Sequence, residues 1–315
     1  MEQRNQTLVK EFILLAMTSV PYYQTVLFFI FLMLYLFMLI GNVSILTVVI
    51  MDRRLHIPMY FFLGNLSFLD IVLPSSTVPK MMAGLVTEDF KISVWGCITQ
   101  IYFIHFFGCS ESLFLTSMAY DRYVAICNPL RYNIVMGKSS CILLIFGSWL
   151  VSFFHSLTQT ILTSQLPFCY LNHISHFFCD VKPLLKLACT DTSLNEILFT
   201  ITTGFLTVST SSLIFLSYCL ISMHLLKIRS FKEIRKAFST CTSHLTVVFF
   251  FYGPLISRFI RPATNDSMEQ DRQIAVLYTI ITPVLNPVIY ALRNQEVKRS
   301  LKTIFGRDKG FHKSI

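Results

Sequence analysis

Two sets of charged residues in this chain are placed where they could do chemistry. The first is the pair Asp121–Arg122, in the stretch MAYDRYVAIC at 118–127, which closes a long apolar run. Charge is costly inside a bilayer, so a charged pair there marks a membrane–water boundary or a working part. The second is Asp70 with Glu111, two carboxyls deep inside apolar runs. A buried acid in apolar surroundings needs a hydrogen-bonding partner, a proton or a cation. Neither set looks like a hydrolytic centre. The chain has no Walker loop, no His-Glu-x-x-His and no Gly-x-Ser-x-Gly, so enzyme activity is not expected.

The elements that position these residues follow from composition. Of 315 residues 54% are hydrophobic and only 14% charged, against about 25% charged in a soluble domain. A membrane helix needs about 20 mostly apolar residues. Seven such stretches are present, at 24–50, 57–79, 97–121, 140–162, 196–226, 238–260 and 272–292. The fifth is longer than a bilayer needs and is expected to project into the cytoplasm. Pro74, Pro283 and Pro287 interrupt the second and seventh, which membrane helices tolerate. The fold expected is an all-α membrane protein, a seven-transmembrane helix bundle with a short amphipathic eighth helix. Its expected parts are an extracellular N-terminus at 1–23, a seven-transmembrane domain at 24–293 and a cytoplasmic tail at 294–315. In the tail, QEVKRSLKTIFG places Val297, Leu301, Ile304 and Phe305 on one helix face and Lys298, Arg299 and Lys302 on the other, a helix lying along the membrane.

Charge gives the orientation. With the N-terminus outside, 17 of the 26 Lys and Arg residues fall on the cytoplasmic side, as the positive-inside rule requires. The net charge of +9 then serves anionic lipids and cytoplasmic partners, not nucleic acid. The sequon at Asn5 fits a lumenal N-terminus. The apolar stretch at 12–17 is too short for a signal peptide, so the first span is expected to be an uncleaved anchor. Cys97, Cys169, Cys179 and Cys189 lie outside or at the outer edge. Four cysteines in an oxidising compartment imply two disulfides, with three possible pairings. Cys109, Cys127, Cys141, Cys219 and Cys241 read as packing residues, with Cys127 and Cys241 also candidates for lipidation.

Five segments in order, each at its own membrane depth, carry a family resemblance: Gly41-Asn42, PMYFFLGNLSFLD at 58–70, MAYDRYVAICNPLRY at 118–132, KAFSTCTSHL at 236–245 and PVLNPVIYALRN at 283–294. The chain resembles the rhodopsin-like G-protein-coupled receptors and, within them, the olfactory receptors of the class II, tetrapod-type branch. The resemblance covers almost the whole chain. It implies a receptor for small, mostly hydrophobic odorants, bound in the outer half of the bundle. It also implies coupling to a stimulatory, olfactory-type G protein that raises cyclic AMP, a plasma-membrane location and a trafficking chaperone as a further partner.

The resemblance also implies residue roles. Arg122 rests on Asp121 and is released towards the G protein on activation, meeting Tyr218. Lys236, Ser239, Thr240 and His244 mark the inner half of the sixth span, which moves outward. Asn286, Pro287 and Tyr290 form a kinked switch. Asn42, Asp70 and Glu111 form a polar hub with the Asn286–Pro287 region, holding Na⁺ or a shared proton, with no other cofactor expected. The implied disulfides are Cys97–Cys179 and Cys169–Cys189. No metal site is assigned, because a Cys179 held in a disulfide supplies no thiolate to HFFCD at 176–180. Counting helical turns outward from Arg122 puts Ile104, His105, Gly108, Cys109 and Ser112 beside the ligand. Equivalent counts add Thr202, Thr203 and Leu206, then Tyr252, Leu255, Ile256 and Phe259, then Tyr278 and Thr279. Tyr252 stands where other rhodopsin-like receptors have a tryptophan. The seventh span has no lysine for a retinal Schiff base, and Ile104 stands where aminergic receptors carry an aspartate, so the ligand expected is neutral. A transporter or channel is the competing class; the odd span number and the lack of an inverted repeat weigh against it.

Overall fold

The computed structural model describes residues 9–18, 20–169, 171–228, 230–260 and 267–305. Asn5 lies outside the described residues, as do the side chains of Phe259, Lys236, Ser239 and Thr240. The helices in chain order are α1 (Pro21–Met51), α2 (Pro58–Ser75), α3 (Val78–Thr87), α4 (Val94–Cys127), α5 (Tyr132–Val135) and α6 (Lys138–Ser164). They continue with α7 (Val181–Leu185), α8 (Ser193–Leu225), α9 (Phe231–Ile260), α10 (Ser267–Val276), α11 (Thr282–Arg293) and α12 (Gln295–Phe305). Three short strands are β1 (Glu11–Leu14), β2 (Lys91–Ser93) and β3 (His173–Ile174), and short 3-10 turns lie at Arg53–Leu55 and Pro129–Arg131.

These elements build the seven-helix bundle. Among the described residues five segments are long and apolar enough to cross a membrane: Pro21–Met51, Pro58–Thr87, Lys138–Ser164, Ser193–Leu225 and Gln270–Tyr290. The other two are α4 and α9. The 34-residue α4 dilutes its apolar run with Glu111, Asp121 and Arg122, and the apolar part of α9 is the shorter stretch Cys241–Ser257. Helix α4 is the central post, packed against α2, α6, α8 and α9. The inner core is apolar, with Leu63, Leu66, Phe114, Leu115 and Val247 almost fully buried. Helix α1 shows apolar residues all round because its outer face meets lipid.

The prolines act as breaks of different kinds. The second span is two helices: α2 stops after Pro74, and α3 restarts at Val78 beyond Ser76 and Thr77. The seventh span passes from α10 through a π-helical turn at Leu277–Ile281 into α11, which holds Pro283 and Pro287. Such turns put one extra residue into a helix and re-aim its side chains. Helix α8, Ser193–Leu225, has 33 residues, longer than the about 20 that cross a bilayer, as expected of the fifth span, and α9 begins at Phe231, ahead of the apolar run expected at 238–260. Spans one and seven touch through Gly41, where an added Cβ would sit 2.9 Å from both Cβ and Cγ of Pro287. A packed helix interface has no slack for that methyl, so Gly41→Ala is expected to cost about 1–3 kcal/mol. A thermal melt of the purified protein checks this; an unchanged Tm contradicts it.

A small sheet closes the outer end. Strand β1 lies between β2, antiparallel to it, and β3, parallel to it. Its inward residues Phe12 and Leu14 pack with Ile98, Ile101, Phe168 and Leu184. Two disulfides, Cys97–Cys179 and Cys169–Cys189, hold the second outer loop over the bundle.

Candidate functional site

The outer half of the bundle holds a cavity of about 120 Å³. Helix α4 lines it with Ile104, His105, Gly108, Cys109, Glu111 and Ser112, and α8 with Phe199, Thr203, Leu206 and Thr207. Phe251 and Leu255 come from α9 and Tyr278 from the π turn of the seventh span. The second outer loop supplies a roof with Asp180 and Lys182. Loop position follows from bonding. Gln100 on α4 donates from Nε2 to the Ser76 carbonyl (2.8 Å) and accepts from the Cys179 amide (2.8 Å), so one side chain joins the second span, the third span and the loop. The next residue, Asp180, caps α7 by accepting from the Val181 amide and faces His105 Nε2 at 3.7 Å.

The structure revises the expected lining. Thr202 turns away, donating to the Leu198 carbonyl and accepting a 2.6 Å bond from Gln159 Nε2 of α6. Tyr252 is buried beside the cavity, its hydroxyl 3.5 Å from the Ser112 carbonyl, and does not line it. Ile256 is 38% exposed on an outward face of α9, and Thr279 is wholly buried with its hydroxyl bonded to the Ala275 carbonyl. Each of these four sits about one helix position out of phase with the wall. Turn counting cannot resolve that where a proline or a π turn shifts the register. The side chain of Phe259 is outside the described residues. Leu73, Glu111, His155, Asp180, Lys182, Phe199, Thr207 and Phe251 line the cavity without having been expected there. For Asp180 a signal existed: it adjoins Cys179, so a Cys97–Cys179 pairing carries it over the third span.

Beneath the cavity lies the polar hub. Asn286 Nδ2 donates to both oxygens of Asp70, at 3.0 and 2.9 Å. Asn42 does not bond Asp70; its Nδ2 donates to the carbonyls of Met38 (3.1 Å) and Pro283 (3.0 Å) and so ties the first span to the seventh. Glu111 is 2% exposed and stands in the cavity wall. Four buried oxygens here, Asn42 Oδ1, Glu111 Oε1, Asn286 Oδ1 and the Tyr290 hydroxyl, have no hydrogen-bond partner among the described residues.

The opposite end of the bundle holds Arg122 in place. Its Nε donates to Asp121 Oδ2 at 2.9 Å and its Nη2 to the same oxygen. The other oxygen, Asp121 Oδ1, accepts a 2.8 Å bond from the Tyr132 hydroxyl. Tyr132 stands in the quoted stretch MAYDRYVAICNPLRY, but its part in holding the acid was not foreseen. Tyr218 does not meet Arg122; its hydroxyl is 2.8 Å from His244 Nδ1, a bond that clamps the fifth span to the sixth. Tyr290 is packed in the same core cluster.

Comparison with known proteins agrees with this architecture. A family model for olfactory receptors matches residues 31–308. The chain is 51% identical to human olfactory receptor 12D3, over 96% of each chain. It is 50% identical to human olfactory receptor 12D1, over 93% of this chain and 92% of that one. Identity to mouse olfactory receptor 1E16 is 43%, over 98% of both. With apolar spans, bundle and match running along nearly its whole length, this chain is a multi-pass membrane protein that belongs to the olfactory receptor family.

Proposed function

We propose that this receptor binds small, mostly apolar odorants in the cavity beneath the second outer loop and activates a stimulatory, olfactory-type G protein, raising cyclic AMP. It acts at the plasma membrane with its N-terminus outside and its tail, from 294, in the cytoplasm. A trafficking chaperone assists its delivery. The observation that carries this is the cavity itself. Its volume, about 120 Å³, is near that of a dry engineered cavity that takes up benzene. The wall is mostly apolar, with polar atoms at the His105–Asp180 roof and the Glu111 floor. Small-molecule sites have this composition.

The switch runs downward from that floor. A ligand that favours the active arrangement contributes its differential affinity for the two states. Glu111 lines the cavity and neighbours the Asp70–Asn286 pair, so a shift of α4 is felt at the kinked seventh span. Movement of α9 breaks the Tyr218–His244 bond and frees the Tyr218 hydroxyl for Arg122 once Asp121 lets go. The hub residues fit a sodium ion or shared proton: beside the acids Asp70 and Glu111, the buried Asn42 Oδ1, Asn286 Oδ1 and Tyr290 hydroxyl have no hydrogen-bond partner among the described residues. Asp70, Glu111, Asn42 and Asn286 would hold the ion, and its positive charge would offset the two carboxylates.

Gly108 offers a direct test of the cavity. A Cβ there meets nothing within 4 Å, so a larger side chain enters open space without disturbing the helix packing. Gly108→Leu is expected to raise the effective odorant concentration by roughly tenfold or more, on the scale of one to a few methylenes of lost pocket, with surface expression unchanged. Equal dose–response curves for variant and wild type would show that ligand binds elsewhere.

A further inference from the structure

A contact at the cytoplasmic end lies outside the signalling path described above. Helix α12 is capped by Asn294, whose Oδ1 accepts from the amides of Glu296 (3.1 Å) and Val297 (3.3 Å) and from the Tyr60 hydroxyl (3.0 Å). Its inner face docks through Val297, fully buried, and through Leu301 and Ile304 against the bundle core. Ser300 shares that face and is 2% exposed. Its hydroxyl donates to Asp52 Oδ2 at 2.5 Å, where the first span ends. Arg54 grips the same carboxylate, with Nε to Oδ1 at 3.0 Å and Nη2 to Oδ2 at 2.8 Å. These bonds, Arg54 first and Ser300 second, hold the Asp52 carboxyl well below the usual carboxylate range. Asp52 is therefore an anion at any cytoplasmic pH. Lys298, Arg299 and Lys302, all exposed, surround Ser300 in sequence.

We propose that Ser300 is a phosphorylation site for a basophilic kinase and that its phosphate releases α12 from the bundle. The kinase transfers the γ-phosphoryl group of ATP to Ser300 Oγ. The bond to ADP breaks, the ester bond forms and the hydroxyl proton passes to the kinase's base. A donor is thereby replaced by a group of charge about −1.5 to −2 that only accepts. It faces a carboxylate that also only accepts. Arg54 already balances Asp52, so a phosphate seated in the dock faces that carboxylate directly, while Lys298, Arg299 and Lys302 lie on the exposed face of α12. The docked hydroxyl is shielded, so the kinase takes the undocked conformer and the phosphate then bars return, a population shift through differential stability of two states. The released apolar face, with the basic residues beside it, suits an interfacial position on the membrane.

The test uses the full receptor in phosphatidylcholine nanodiscs, treated with ATP and a protein kinase C catalytic domain. Site-resolved mass spectrometry and hydrogen exchange across 295–305 are the readouts. Phosphate is expected on Ser300, several-fold faster in Asp52→Asn, whose latch is weakened. Exchange at 297–304 is expected to be faster in the phosphorylated protein and in Ser300→Glu than in Ser300→Ala. Most of that difference should vanish in the Asp52→Asn background. Labelling at exposed Thr303 or elsewhere with Ser300 unmodified would overturn the site. Unchanged exchange on phosphorylation, or an effect undiminished by Asp52→Asn, would overturn the release.

Discussion

Asp121→Asn is expected to raise ligand-independent signalling about tenfold per surface receptor. The carboxylate holds Arg122 with two donors on one oxygen and takes the Tyr132 hydroxyl on the other. Asparagine keeps the shape and one acceptor but loses the charge. A hydrogen bond to a charged group contributes about 1.5–3 kcal/mol, and 1.4 kcal/mol is a factor of ten in a two-state equilibrium. A minor active state of about 1% would rise to about 10%. Basal cyclic AMP, normalised to surface receptor, is the readout. Wild-type basal output in this variant would mean that the pair does not hold the inactive state.

Cys97→Ser is expected to lower surface receptor by roughly tenfold or more. The Cys97–Cys179 bond closes a separation of 82 residues. The loop-entropy estimate gives about 4–5 kcal/mol for a loop of that size, against a total stability of about 5–15 kcal/mol. The bond also seats Asp180 over His105, so the cavity roof goes with it. Cys169–Cys189 closes only 20 residues, which corresponds to about 3 kcal/mol, so Cys169→Ser should be the milder lesion. Flow cytometry of epitope-tagged receptor orders the two. Full surface display of Cys97→Ser, or the reverse order, would contradict this ledger.

The bundle was legible because each span is a long apolar run, and hydrophobicity over about 20 residues needs no periodicity to be seen. What escaped were features set by contacts. The strands Glu11–Leu14, Lys91–Ser93 and His173–Ile174 are four, three and two residues long, too short for any pattern to show. Pro74 signalled a bend in the second span but not that the helix would end and restart. The π turn at Leu277–Ile281 has no hydrophobic period of its own, and it sends Tyr278 into the cavity and Thr279 away from it. In the third span, turn counting from Arg122 found five wall residues because α4 is unbroken. It failed for His155 and Lys182, whose positions depend on how α6 and the second outer loop pack on α4. Thr202 went astray because its partner Gln159 is a residue of another helix.

The most direct test of the account is a cyclic-AMP reporter assay in cells carrying the olfactory G protein, with surface receptor verified and a broad panel of small apolar odorants. The account predicts a dose-dependent response to at least one compound, lost in Leu255→Trp, which blocks the cavity from the sixth span without touching the hub. A panel-wide absence of response from well-displayed receptor, or a response untouched by that substitution, would contradict it.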